Sequence, residues 1–353
     1  MESKILPQRQ SRHWIRGEVA KLDPYKDYEL IYRLTNTFGL NDFLNNLVYA
    51  LTFPNFVVTP HGAEVVWRKD GGKVRGKACN RVEQTENNNA LWWYYGPSHY
   101  KTQKAVERLN NLHGYWEKQY PGRFAGNVDY VYTAAFSAVL MHRLRLRLGL
   151  PGISEKEQIA SHLFWQDMCK LFKRAGPDGQ MNVDLCDFPD SFNGCIKYCE
   201  DFENIPREGT ERGHLIAMSI YKQYAFRYFP PMLRWFGYAM PVALSLPTTL
   251  ATHKIQPVNL VLKAFIVWLV GTMFWILSFL PDPKVSFVEV MEGRTREEKI
   301  AREKGLSAID KEYAPYFAAK HGNDWTGMTC PFQNAVSEDL DNPSDKYGAV
   351  PAW

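Results

Sequence analysis

The segment Val258 to Leu280 constrains this chain more than any other feature, because it is almost wholly apolar and its single charge is Lys263 near one end. Read as a helix at about 1.5 Å rise per residue, it reaches across a hydrocarbon core of roughly 30 Å with Lys263 snorkelling to the surface. Its uncharged part, Ala264 to Leu280, falls somewhat short of a full span. Three placements stay open at this point: a span, a buried core helix, and a helix that enters one leaflet together with the aromatic, proline-broken stretch Tyr228 to Leu246.

The rest of the chain reads as helical, with no run of alternating strands. Asp27 to Thr52 forms one or two helices, and the Gly- and Lys-rich piece from Arg68 to Lys77 is a loop. A helix starts near Asn80, and the next, from about Ser98 to Tyr120, carries apolar residues at Ala105, Leu109, Leu112, Trp116 and Tyr120. Pro121 and Gly122 break the chain. Asn127 opens a helix that Gly149 and Pro151 close, and Ser154 with Glu157 forms a capping box for the following one, whose inward face holds Ile159, Leu163, Met168 and Phe172. Gly176 to Asn182 is a turn-rich break, followed by helices over Phe188 to Glu203, Glu211 to Tyr228 and Arg294 to Leu306. The expected organisation is one all-helical domain over 1–335, with a core at about 27–228, the apolar helix at 258–280 and an irregular tail at 336–353.

A 353-residue chain that is 45% hydrophobic and 14% aromatic has ample material for a core. The net charge of +4 comes from basic residues scattered among acidic ones, so nucleic acid is not an expected partner. Arg143, Arg145 and Arg147 read as a solvated helix end favoured by the helix dipole. The six cysteines form no zinc-type CxxC pair and read as reduced thiols. Met1 to Trp14 contains no apolar h-region, so no cleavable secretory signal is expected.

The nine histidines lie at least 14 positions apart, which excludes HExxH and histidine-box chemistry. No GxSxG elbow, P-loop or dinucleotide fingerprint is recognised. What remains is His113, set inward on an otherwise amphipathic helix. Its imidazole needs either a hydrogen-bonding partner in the core or a metal, and one histidine is the usual proximal ligand of haem. Arg81 and Thr85, spaced i to i+4, project from adjacent turns of one helix face and offer a cation and a hydroxyl; the same pair also reads as a surface arginine and a capping residue.

In order, Arg81-Val82-Glu83-Gln84-Thr85, Arg108-Leu109-Asn110-Asn111-Leu112-His113, Tyr132-Thr133 with Phe136, Phe164-Trp165 and Cys330-Pro331-Phe332 resemble the fungal ER-bound oxygenases of mycophenolic-acid-type pathways. Those enzymes are similar to the bacterial latex-clearing rubber oxygenases, and the resemblance covers roughly residues 20 to 335. It implies a globin-like helical bundle around a haem b pocket, with His113 on the iron, Arg81 and Thr85 on the distal side, and cleavage of an isoprenoid double bond by dioxygen. The rubber oxygenases carry a lysine where this chain has Gln84, and an arginine where it has Asn110, so both positions are assigned to the site with altered chemistry. Glu64 lies about where that group keeps its base. The fungal relatives carry their anchor at the N-terminus, so the apolar stretch 258–280 reads here as a core helix made greasier for membrane contact.

The expected function is therefore a haem b-dependent oxygenase acting with dioxygen on an apolar prenylated or terpenoid metabolite at the cytosolic face of the endoplasmic reticulum membrane. Two alternatives stand beside it: a haem-dependent hydroxylase or other oxidase, and a membrane-associated helical scaffold without cofactor.

Overall fold

The structure, a computed structural model, describes residues 11–68 and 71–319. Over these the fold is all-α. The chain opens with α1 (Trp14–Lys21), α2 (Tyr28–Thr37), α3 (Asp42–Phe56), α4 (Pro60–Trp67) and the single-turn α5 (Gly72–Gly76). It continues with α6 (Ala78–Tyr95), α7 (Tyr100–Gln119), α8 (Asn127–Arg147) and α9 (Glu155–Leu171). One antiparallel hairpin follows, β1 (Lys173–Ala175) and β2 (Met181–Asp184), with Lys173 opposite Asp184 and Arg174 opposite Val183. The remaining helices are α10 (Phe192–Glu203), α11 (Glu211–Tyr228), α12 (Arg234–Leu244), α13 (Pro247–Thr252), α14 (Leu260–Leu277), α15 (Phe287–Gly293) and α16 (Arg296–Ala319). The tail at 336–353 and the motif Cys330-Pro331-Phe332 lie outside the described residues.

The chain divides into two compact units. The first takes the described residues of Met1–Asn45, Asn87–Ile205 and Asn259–Arg294. Here α9 packs on α2 and α8, and α8 on α10. Tyr32 stacks on Phe164 with ring centroids 3.9 Å apart, and Trp165 Nε1 donates to the Tyr32 hydroxyl at 2.9 Å, so the polar tip of a buried tyrosine is satisfied. Trp14, Leu34 and Phe38 form a second apolar cluster, and α15 seats Phe287 and Val288 against Ala90.

The second unit takes the described residues of Asn46–Glu86, Pro206–Val258 and Thr295–Trp353. Its centre is α11, buried on every face from Gly213 to Phe226. A helix without a solvent face cannot show an amphipathic stripe, and α11 is accordingly packed by α12, α4, α5 and α16. Trp67, Val74, Tyr221, Val242 and Tyr313 belong to the one apolar cluster that surrounds it.

Local chemistry sets most helix starts. Ser154 and Glu157 form the expected capping box, Ser286 and Glu289 form another, and Thr59, Ser191, Thr210 and Asn259 cap α4, α10, α11 and α14. Asn127 does not cap α8. Gly126 holds that position, while the Asn127 amide exchanges two hydrogen bonds with the backbone of Cys186, at 2.9 and 3.0 Å. The expected Arg68–Lys77 loop contains α5, the break at Gly176 is the turn of the hairpin, and α16 runs well past Leu306.

The arginine run at the end of α8 is not a solvated face. Arg143 grips Glu203 of α10 through both nitrogens, at 2.8 and 2.6 Å, with both side chains largely buried. Arg145 Nε donates to the Pro151 carbonyl at 2.8 Å. Cys79, Cys169, Cys195 and Cys199 are buried free thiols, and Cys186 is exposed. Burial pushes the Cys169 and Cys195 thiols up to about 12, so they act as packing groups rather than nucleophiles.

One helix among the described residues, α14, is long and apolar enough to cross a membrane by length and composition. Only a minor share of it is buried, so it is not a core helix.

Candidate functional site

His113 sits on α7, whose buried side is turned away from the expected stripe. The buried side of α7 runs through Thr102, Val106, Asn110 and Glu117, whereas Ala105, Leu109, Leu112, Trp116 and Tyr120 are only half-buried. His113 lies between Asn110 and Glu117 on that inner side. Polar residues line it because each has a backbone partner. The Glu117 carboxylate accepts from Gly122 N at 2.5 Å and Phe124 N at 2.9 Å, closing the turn after α7, where Gly122 takes a φ of 80°. Asn110 donates to the Leu171 carbonyl at 2.9 Å and accepts from Lys173 N at 3.2 Å, tying α7 to the start of the hairpin.

These two clamps build the surroundings of His113. The turn held by Glu117 presents Phe124, whose ring stacks on the imidazole at 4.7 Å, and whose carbonyl accepts from Ala175 N of β1 at 2.8 Å. Tyr130 of α8 brings its hydroxyl to 3.1 Å from His113 Nδ1. Among the described residues no hydrogen bond is made to Nε2. Burial pushes the imidazole down to about 4, so it is neutral at physiological pH. A neutral ring with Nδ1 engaged and Nε2 free is the form in which histidine binds a metal, the engaged nitrogen fixing tautomer and orientation. Phe124 covers a face of the ring, whereas a ligand bond from Nε2 leaves along the ring plane. The donor chemistry therefore fits a single iron ligand.

Arg81, Gln84 and Thr85 belong to the second unit, on the N-terminal half of α6. Arg81 is half-buried, lies over the Phe53 ring at 4.4 Å and donates to the Tyr49 hydroxyl. Burial pushes the Tyr49 phenol up to about 12, which keeps it neutral. The Thr85 hydroxyl donates back to the Arg81 carbonyl at 3.1 Å, a bond internal to the helix. Gln84 accepts from Lys73 Nζ at 3.1 Å. Lys73 is itself pushed down, first by burial and then by Arg68, Lys77 and Arg81. Glu64 faces Arg212 at 3.4 Å.

Glu83, inside the same motif, does different work: it accepts from Arg227 Nη2 at 2.7 Å and from Arg302 Nε and Nη2 at 2.5 and 2.9 Å. Asp310 of α16 caps the first turn of α6, accepting from Cys79 N at 2.7 Å and Asn80 N at 3.2 Å. Gly71 to Lys77 has the GxxxxGK spacing of a phosphate loop, but Ala78 stands where the hydroxyl residue belongs. The helix terminus that would meet a phosphate is occupied by the Asp310 carboxylate. A Glu-x-x-His pair also exists, Glu211 and His214, and its His214 Nδ1 lies 2.6 Å from the His253 carbonyl.

Sequence reasoning did not find Tyr130, Phe124, Glu117, Tyr49 or Lys73. Tyr132, singled out instead of Tyr130, points the other way on α8 and stacks on Phe202 of α10 at 3.8 Å. Two positions on a helix are about 200° apart, so choosing between Tyr130 and Tyr132 required knowing which face meets α7.

The fully buried His253 gives the second unit an acid sensitivity. Its Nε2 lies 2.8 Å from the Pro54 carbonyl, and burial pushes the ring down from 6.5 to about 4. The unfolded chain takes up this proton first, so stability is complete above pH 6.5 and declines as the pH falls toward 4. The slope is about 1.4 kcal/mol per pH unit per proton at its steepest. In urea melts between these limits, His253→Gln is expected to take up about one proton fewer on unfolding than the wild type.

No protein-family model matches the sequence, and no curated protein matches it.

Proposed function

We propose that this chain is a haem b-dependent oxygenase that cleaves a carbon–carbon double bond in a prenylated or terpenoid metabolite with dioxygen, working against the cytosolic face of the endoplasmic reticulum membrane. The observation that carries the reading is His113: a neutral imidazole oriented through Nδ1 by Tyr130, with Nε2 left as a lone-pair donor. In that tautomer Nδ1–H donates to the Tyr130 oxygen. Bound haem would supply the iron at which dioxygen is activated.

The chain's own residues supply binding, orientation and charge. His113 holds the iron, Tyr130 sets the plane of its ring, and Glu117 keeps Phe124 packed beside it. The resemblance assigns Arg81 and Thr85 as donors to the negative charge that develops during oxygen chemistry, and places Gln84 beside them. To act so, Arg81 has to exchange its bond to Tyr49, and Thr85 its bond within α6, for the new acceptor. Membrane association is supported by α14 and brings an apolar substrate to the protein from lipid.

The stacking of Phe124 on His113 favours a second reading, a cofactor-free helical scaffold in which Tyr130 simply satisfies a core histidine. Titration of the purified protein with hemin separates the two. Saturation at one haem per chain, with a Soret band, is the expected result; a colourless protein after supplementation overturns the haem reading. Incubation of the loaded protein with candidate isoprenoids under labelled dioxygen then distinguishes cleavage, which places label in new carbonyl ends, from hydroxylation.

A further inference from the structure

The exposed face of α14 is held in an orientation that decides how a membrane could receive it. Of its 18 residues, only Ile266, Val270 and Gly271 are buried. At Gly271 an added Cβ would stand 2.8 Å from the Leu148 carbonyl, so the middle of the helix rests on the end of α8 at a distance that only glycine permits. The far end is fastened too. Asp282 N donates to the Arg12 carbonyl at 2.8 Å, its carboxylate accepts from Ile15 N at 2.7 Å, and Arg12 Nη2 donates to the Phe279 carbonyl at 2.8 Å. All of these groups lie in the first unit, so α14 is strapped along that unit at its middle and its C-terminal end.

A helix strapped in this way cannot stand upright in a bilayer alone. If it crossed, its midpoint contact would carry the last turn of α8, with Arg145 and Arg147, to the centre of the hydrocarbon, where a guanidinium is strongly disfavoured. Its length of about 27 Å also falls just short of a full span. The side of α14 turned away from Ile266 and Val270 is built for contact of another kind. Val261, Phe265, Trp268, Trp275 and Phe279 share one face at helical spacing and are all exposed, Trp268 by 63% and Trp275 by 56%. Tryptophan prefers the level of lipid headgroups. From Asn259 to Pro281 there is no carboxylate, while Lys263 and Arg12 stand at the two ends of the helix. That charge pattern complements an anionic surface.

We propose that α14 is a monotopic membrane helix, lying in the plane of one anionic leaflet with its Phe265–Trp268–Trp275 face in the lipid, its Ile266–Val270 side on the protein and Gly271 at the border between the two. This rests on the membrane association proposed above and specifies its geometry. The test uses the full-length protein floated with vesicles of phosphatidylcholine, with or without phosphatidylserine. Co-flotation that increases several-fold with phosphatidylserine, and that is lost in F265E/W268E with an unchanged circular dichroism spectrum, is expected. Depth is then read from a fluorophore on V261C, W268C or W275C, in a C186S/C330S background, quenched by lipids spin-labelled at shallow or deep positions. Similar shallow quenching at all three sites supports the in-plane helix. Deepest quenching at position 268 means a span: it overturns this proposal and leaves membrane association standing. Absence of flotation with either lipid overturns both, and a dimer that shields the same labels in solution reassigns the face to a contact between copies.

Discussion

His113→Ala is expected to abolish the Soret band of the hemin-loaded protein while leaving its far-ultraviolet circular dichroism intact. The size of the effect follows from the ligand set. If haem binds as proposed, His113 would be the one side chain holding its iron, so removing the imidazole would remove the specific anchor. The fold should survive because the contacts of His113 are one stacked ring and one hydrogen bond. Tyr130→Phe makes a graded companion. It keeps the ring but loses the partner at Nδ1, and outer partners of this kind are worth about 10–100-fold in metal affinity. A Soret band unchanged in His113→Ala would assign the haem to another residue.

Glu83→Ala is expected to destabilise the protein by about 3–5 kcal/mol in urea unfolding, the range for breaking one side of a buried ion pair. Glu83 neutralises two arginines, and Arg227 is nearly inaccessible to water, with Glu86 as its next carboxylate at 3.9 Å. Burial alone would raise the Glu83 carboxyl, but Arg302 and Arg227 outweigh it and hold the group below its ordinary value. Its contribution is therefore present above the unfolded carboxylate pKa of 4.5 and is lost as the pH falls below it. Glu83→Gln should also destabilise, since its single oxygen can accept from Arg227 and Arg302 Nη2 but its NH2 then faces the Arg302 Nε donor and no charge meets the two guanidinium groups. A loss under 1 kcal/mol in Glu83→Ala would show that water replaces the carboxylate. The motif around Arg81 thus sets a structural clamp, Glu83, two positions from each of the candidate site residues Arg81 and Thr85.

Much of the secondary structure is legible in the sequence, because capping chemistry and proline or glycine breaks act locally. Ser154 with Glu157 and the break at Pro121–Gly122 needed no tertiary information. The faces of the helices were less legible. On α9 the buried residues are Ala160, Ser161, His162, Phe164, Trp165, Met168 and Cys169, whereas Ile159, Leu163 and Phe172 are only half-buried. This helix meets α2, α8 and α10, so it has no single apolar stripe to read. On α7 the inward positions are polar, and Asn110 and Glu117 are recognisable as inward only once the backbone groups they serve are known. Arg143 looked like a solvated charge because Glu203 is 60 residues away in sequence. His113 was legible as an inward histidine; its orientation by Tyr130 was not.

The cap that Asp310 places on α6 has a consequence for biosynthesis. Its partners Cys79 and Asn80 leave the ribosome some 230 residues before the carboxylate does. At about 5–20 residues per second, the stretch bearing Arg81 waits roughly ten seconds or longer for α16 to emerge. During that interval the apolar side of α11 also lacks Tyr313 and Phe317. A nascent chain arrested before residue 295 should therefore recruit chaperones and be cut readily by proteases around Cys79, and completion of the last helix should end both.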